Sequence, residues 1–184
     1  SNPEIGERFE FVENEEIKIE VTFEKHLEAK ILKALFKNHV YEEVAYEIYE
    51  LQNQHQNIGL GMIGELENEM NESNFLQFVK EKMQCESIRH STFLNKTIKK
   101  VAVLGGSGSF AIERAKRLGA NAFLTADLKY HQFYEAENQI LLADIGHYES
   151  ERYTKNYIYD FLIKKLPNFA IVLSEINTNP IKHL

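Results

Sequence analysis

The chain has 184 residues, 43% hydrophobic and 27% charged, with a formal net charge of −7; that is room for one α/β domain and a smaller appendage, in a composition ordinary for a chain that buries a core. The acidic balance argues against a nucleic-acid binder, which relies on clustered Lys and Arg, and no apolar run reaches the roughly 18–20 residues of a membrane helix. The single cysteine, Cys85, excludes an intrachain disulfide and fits a reducing cytoplasm.

The chain opens Ser1-Asn2-Pro3, without Met or a signal-peptide pattern, which suggests processing or a start inside a longer protein. Residues 17–22 alternate apolar and polar side chains, the pattern of a half-buried strand. Leu27, Ile31, Leu32, Leu35 and Phe36 recur at helical spacing, which predicts an amphipathic helix over about 24–38. Residues 44–51 alternate again as a second strand, so residues 1–53 read as a partial ferredoxin-like unit. The polar run 52–57 is a linker or an exposed loop.

From there residues 58–184 read as a second domain. Gly59, Gly61 and Gly64 suggest a tightly packed or bulged strand, and Asn71-Glu72-Ser73 can cap a helix carrying Phe75, Phe78, Val79 and Met83. Strands are expected at 101–104, 122–125, 140–143 and 170–173, and helices at 110–118, 130–137 and 149–165, with Gly119 and Pro167 as helix stops. This alternation predicts an α/β fold, a mostly parallel sheet flanked by helices.

A parallel sheet brings the carboxyl ends of its strands to one edge, where open α/β folds place their ligands. Three loops there carry chemistry. Gly105-Gly106-Ser107-Gly108-Ser109 exposes backbone N–H groups that can hold an anion, Ser107 and Gly108 among them, or it is simply a tight turn. It lacks the P-loop lysine and the dinucleotide glycine spacing. Asp127 reads first as an N-cap for a helix near Tyr130; Lys129 and His131 lie in that first turn, where His131 transfers a proton, accompanies a metal or is simply a polar surface residue. Asp144 ends an apolar run, and in Gly146-His147-Tyr148-Glu149-Ser150-Glu151 a histidine and a glutamate stand four apart. On a helix His147 and Glu151 share one face and can grip one divalent ion, or both are solvated. Cys85 has no obvious histidine partner and reads as a buried thiol.

Taken in order, residues 101–109, 124–131 and 144–151 resemble the C-terminal half of the GTP cyclohydrolase 1 type 2 homologue family, also called Nif-three-like proteins. The resemblance extends upstream through 59–64, and 39–49 is similar to the PII-like insert of longer bacterial members. It implies a two-metal site in an α/β protein that forms a homo-oligomer, a hexameric toroid. His147 and Glu151 fall on the family's Gly-His-x-x-x-Glu ligands; zinc, iron, manganese and nickel all suit such donors. Ser107, Gly108, Asp127, Lys129, His131 and Asp144 are then candidates for contacting substrate or supporting those ligands. The family's remaining ligands include a paired histidine, and this sequence has none. The expectation is therefore half of a dinuclear site, an N-terminal half missing from these residues, and a polypeptide that binds metal weakly and is inert by itself. The family name points to metal-dependent hydrolysis of a small molecule such as a nucleotide. The alternatives are a non-enzymatic PII-like scaffold or sensor, and a nucleotide-binding domain built on the 105–109 loop.

Overall fold

The computed structural model describes residues 13, 15–41, 43–53 and 58–183. The chain divides into two compact units, Ser1–Gln54 and His55–Leu184.

The first unit is built on one helix. A 3-10 turn, Lys25–Leu27, runs into α1, Glu28–Asn38. Glu28 in the first turn and Lys37 in the last both oppose the helix dipole favourably. Leu27, Ile31, Leu32 and Leu35 are half-buried on one face, and Tyr46 meets Phe36 edge-on with ring centroids 5.5 Å apart. None of the described residues of this unit is fully buried. The strands expected at 17–22 and 44–51 do not form among the described residues, which therefore do not confirm the ferredoxin-like reading. Ile17, Ile19 and Val21 stay exposed, because alternation prepares a strand but only a paired neighbour satisfies its backbone groups.

The second unit is a five-stranded sheet with helices against it. Its elements are β1 (Met62–Asn71), α2 (Glu72–Met83), β2 (Arg89–His90), β3 (Thr97–Ser107), α3 (Ile112–Arg117), β4 (Ala122–Ala126), β5 (Leu141–Asp144), α4 (His147–Glu151) and α5 (Thr154–Lys165). Short 3-10 turns, Ser109–Ala111 and Tyr130–Ala136, precede α3 and follow β4. The strand order is β1-β3-β4-β5-β2. β3, β4 and β5 are parallel, with Phe123 opposite both Ala102 and Leu142. β1 runs antiparallel to β3, and β2 antiparallel to β5. The sheet is therefore mixed: a parallel centre, as the strand–helix alternation requires, with antiparallel edges that alternation cannot report.

Period-2 geometry sorts the core into two layers. Val101, Ala122, Leu141 and Ala143 face Phe75, Leu76 and Val79 of α2. Their neighbours Ala102, Phe123 and Leu142 face Ile112 and Ala115 of α3, with Leu128 and Ala136 beside them. Leu141, Leu142 and Ala143 are all completely buried, so β5 is central on both faces. Asn71 caps α2, its side-chain oxygen accepting from the N–H of Asn74 at 2.8 Å.

Three local expectations change. β3 continues through the glycines to Ser107 instead of ending before them. The helix expected over 149–165 is two, α4 and α5, separated by Arg152 and Tyr153. Those residues keep right-handed angles (φ −54°, ψ −27° and φ −81°, ψ −9°), so the hydrogen-bond ladder is interrupted without turning the chain aside. Residues 170–173 form no strand; Val172 is exposed and no sheet edge is paired with it.

Candidate metal centre

The carboxyl ends of β3, β4 and β5 meet on one edge, and each delivers one functional side chain. β3 supplies Ser107, after a bulge in its pairing with β4 between Val103 and Ser107. Asp127 follows β4 in the left-handed region at φ 57°, a conformation Asp tolerates better than most side chains. After β5, Gly146 (φ 91°) turns the chain so that α4 begins at His147. Asp127 is thus not the N-cap the sequence suggests. Lys129 takes that position through its backbone, donating its N–H to Gln132 Oε1 at 2.8 Å and accepting the Gln132 N–H.

Asp127 Oδ2 accepts from His147 Nδ1 at 2.6 Å and also from the Ser107 hydroxyl. On the other side of the imidazole, His147 Nε2 stands 3.3 Å from Glu151 Oε2. All three side chains are about half exposed. The hydrogen bond from Ser107, followed by that from His147, holds the Asp127 carboxyl below its usual range. The bond to Asp127 raises the His147 imidazole; burial opposes this, and the charges of Asp127 and Glu151 reinforce it.

With Nδ1–H given to Asp127, a neutral His147 keeps its Nε2 lone pair directed at Glu151. Two bonds of about 2.0 Å meeting at a tetrahedral angle place their ligand atoms about 3.3 Å apart. The observed separation suits one cation shared by the two groups. Asp127 cannot join them, because it bonds the opposite nitrogen. Among the described residues no cluster of three or more His, Cys, Asp or Glu side chains is arranged to hold a metal. Two donors at this separation fit part of a metal site and do not complete one among the described residues.

Two residues to which sequence reasoning assigned no role beside His147 and Glu151 shape this pair. Gly106, at φ 68°, leaves the space against which it lies: a Cβ there would stand 2.7 Å from Glu151 Oε1 and 3.4 Å from His147 Cε1. Ser150 fastens α4 to β3, its hydroxyl accepting the Gly106 N–H at 2.9 Å and donating to the His147 carbonyl at 2.8 Å. The glycine pair was the available signal for the first; nothing in the spacing announces the second. Because Ser150 takes the Gly106 N–H, that amide of the 105–109 segment is not offered to an anion.

The other candidates lie apart from His147 and Glu151. Gly108 is buried, and a Cβ there would strike Thr125 Oγ1 at 2.1 Å, so its role is close packing of β3 on β4. Asp144 is buried and binds the guanidinium of Arg89, the Leu128 N–H at 2.9 Å and the Gly146 N–H at 3.1 Å. It anchors the two turns that carry Asp127 and His147. Lys129 and His131 are exposed at the start of the Tyr130–Ala136 turn. Cys85 is buried, as its setting suggests, and its thiol is pushed up to about 11, chiefly by burial and then by the charge of Glu149.

Comparison with known proteins agrees with this architecture. The family model Duf34/NIF3 (NGG1p interacting factor 3) matches residues 3–180. A GTP cyclohydrolase 1 type 2 homolog of Bacillus subtilis is 38% identical over 189 residues, covering 100% of this chain and 50% of the relative. Another, of Staphylococcus epidermidis, is 35% identical over 188 residues, covering 100% and 51%. The chain therefore spans about half the length of the curated relatives it matches. Among solved structures, a Bacillus cereus protein related to NIF3 superposes with a TM-score of 0.68 at 33% identity, covering 86% of this chain and 45% of that one. Staphylococcus aureus protein SA1388 gives 0.70 at 28% identity, covering 90% and 55%. By sequence along almost its whole length and by fold, the chain belongs to the Duf34/NIF3 family.

Proposed function

We propose that His147 and Glu151 are two ligands of a divalent-metal centre in a hydrolase-like protein, and that the remaining ligands come from outside the described residues. The observation that carries this reading is the 3.3 Å gap between His147 Nε2 and Glu151 Oε2, with Nδ1 tied back to Asp127. A carboxylate on the far nitrogen of a ligating histidine is the usual device for fixing its tautomer and raising its basicity. A metal held there by His147 and Glu151 would supply Lewis acidity and lower the pKa of a bound water.

The chain's own residues then have separate tasks. His147 and Glu151 bind, Asp127 holds the proton at Nδ1, Ser107 orients Asp127, and Gly106 keeps the space clear. Zinc, iron, manganese and nickel all accept imidazole and carboxylate donors. The relatives' name, GTP cyclohydrolase 1 type 2 homolog, favours hydrolysis of a small molecule such as a nucleotide.

Calorimetric titration of the chain with zinc tests the reading. The expected result is weak binding of about one ion, since a catalytic zinc ordinarily takes three protein ligands, lost in both His147→Ala and Glu151→Gln. Tight binding of two ions would show that the centre is complete within this chain. Binding unchanged in both variants would remove the site.

A further inference from the structure

A cavity of about 500 Å³ opens beside the ligand pair, with His147 and Glu151 in its wall. Sites for small organic molecules commonly have this size and mix apolar lining with a few polar groups. Here α4 and α5 bring Arg152 and Lys155, and the C-terminal stretch brings Ile176 and Ile181. His147, Glu151 and Lys155 follow at four-residue spacing, and the right-handed angles of Arg152 and Tyr153 keep that spacing on one face.

The charge of this lining runs against that of the molecule. In a chain of net charge −7, two cations share the cavity with a single acid, Glu151, which is already engaged with His147. Among the described residues neither cation is paired with a carboxylate. Arg152 lies over the rings of Tyr148 and Tyr153, 5.4 and 5.8 Å from their centroids, which orients the guanidinium without neutralising it. Lys155 Nζ donates to the Ser174 carbonyl at 2.8 Å, leaving two of its three donors unused. A guanidinium fork and an ammonium together suit a phosphoryl group. The isoleucines offer apolar surface to whatever the phosphate carries, Ile176 being largely exposed.

We infer that this cavity binds a small organic phosphate, its phosphoryl oxygens on Arg152 and Lys155 and its apolar part against Ile176 and Ile181. That names a substrate class for the metal-site reading and rests on it only for the ligand's role as substrate; the binding itself stands independently.

The test is an NMR titration of the chain with phenyl phosphate and with inorganic phosphate, both in EDTA so that metal binding plays no part. Phenyl phosphate should shift the Arg152 side-chain and the Ile176 and Ile181 methyl resonances. It should bind about tenfold more tightly than inorganic phosphate, the gain expected for covering one small apolar group. Arg152→Gln with Lys155→Gln should weaken both probes at least about tenfold, two charge-assisted bonds being removed. Ile176→Ser, at an exposed position, should weaken phenyl phosphate alone. Absence of these shifts up to about 10 mM, a range that captures even weak sites, would overturn the inference. Affinity undiminished in the double variant, or equal for the two probes, would also overturn it. If the chain binds phenyl phosphate but His147→Ala leaves zinc binding unchanged, the cavity stands and the metal reading falls; the reverse pattern removes only the cavity.

Discussion

Asp127 decides which nitrogen His147 presents. Its carboxylate bonds Nδ1 at 2.6 Å, so a neutral ring carries its proton there and offers Nε2 toward Glu151. In Asp127→Asn the amide is neutral and has one oxygen to accept with, so the imidazole is less basic and less firmly oriented. Metal affinity should fall about 10–100-fold, the usual cost of removing such a support, while the melting temperature changes little at this half-exposed position. Calorimetry and a thermal melt on the same sample check both parts; a variant that loses fold and metal together would make Asp127 structural.

Cys85 yields a pH prediction at the same scale. Its thiol is raised to about 11 from an ordinary value of 9.0, first by burial and then by Glu149. Between those values the unfolded chain has released its proton and the folded chain has not, so stability should fall as pH rises from about 9 to about 11. Alkylation by iodoacetamide at pH 8 should be slow in the folded protein and fast in denaturant, because the thiolate is the nucleophile. Rapid alkylation of the native chain at that pH would contradict the burial. The pairing of His147 with Glu151 was legible because four-residue spacing is a local property. The bond to Asp127 was not, since it joins residues 20 apart through a left-handed turn that spacing does not encode.

Among the elements, β3 matters most to the site, because its last residues pass beneath α4. Gly106 combines a positive φ with a space that a methyl group would fill. Gly106→Ala should cost about 1–2 kcal/mol from the left-handed backbone alone, seen as a lower denaturant midpoint. It should also weaken zinc binding, since the new Cβ presses on the Glu151 carboxylate. Unaltered zinc affinity would mean that α4 shifts freely and that Gly106 does not hold the pair. The central strands were readable as unbroken apolar runs, because burial on both faces leaves little room for polar residues. Residues 17–22, 44–51 and 170–173 misled for a physical reason. Alternation belongs to the segment itself, whereas a strand exists only with a partner, and the described structure gives these segments none. The gap between α4 and α5 was invisible too, as neither Arg152 nor Tyr153 is a helix breaker.

At the scale of the whole molecule the two units differ in what they bury. The sheet unit hides Phe75, Phe123, Ile98, Ile112, Leu128 and all of β5, and such burial dominates folding stability. The Ser1–Gln54 unit hides no residue completely among those described, and α1 has 11 residues, a length marginal for an isolated helix. Cooperative unfolding should therefore report on the sheet unit alone. In hydrogen exchange, amides of β4, β5 and the buried part of β3 should exchange only through global opening, and those of residues 15–53 far faster, α1 included. Limited proteolysis should trim the chain to a fragment close to 55–184, the bounds of the second unit. That fragment should melt within about 3 °C of the whole chain, because a larger loss would require roughly 1 kcal/mol from the removed unit. A drop well beyond that, or α1 amides as protected as those of β5, would mean that the first unit contributes to the same cooperative core.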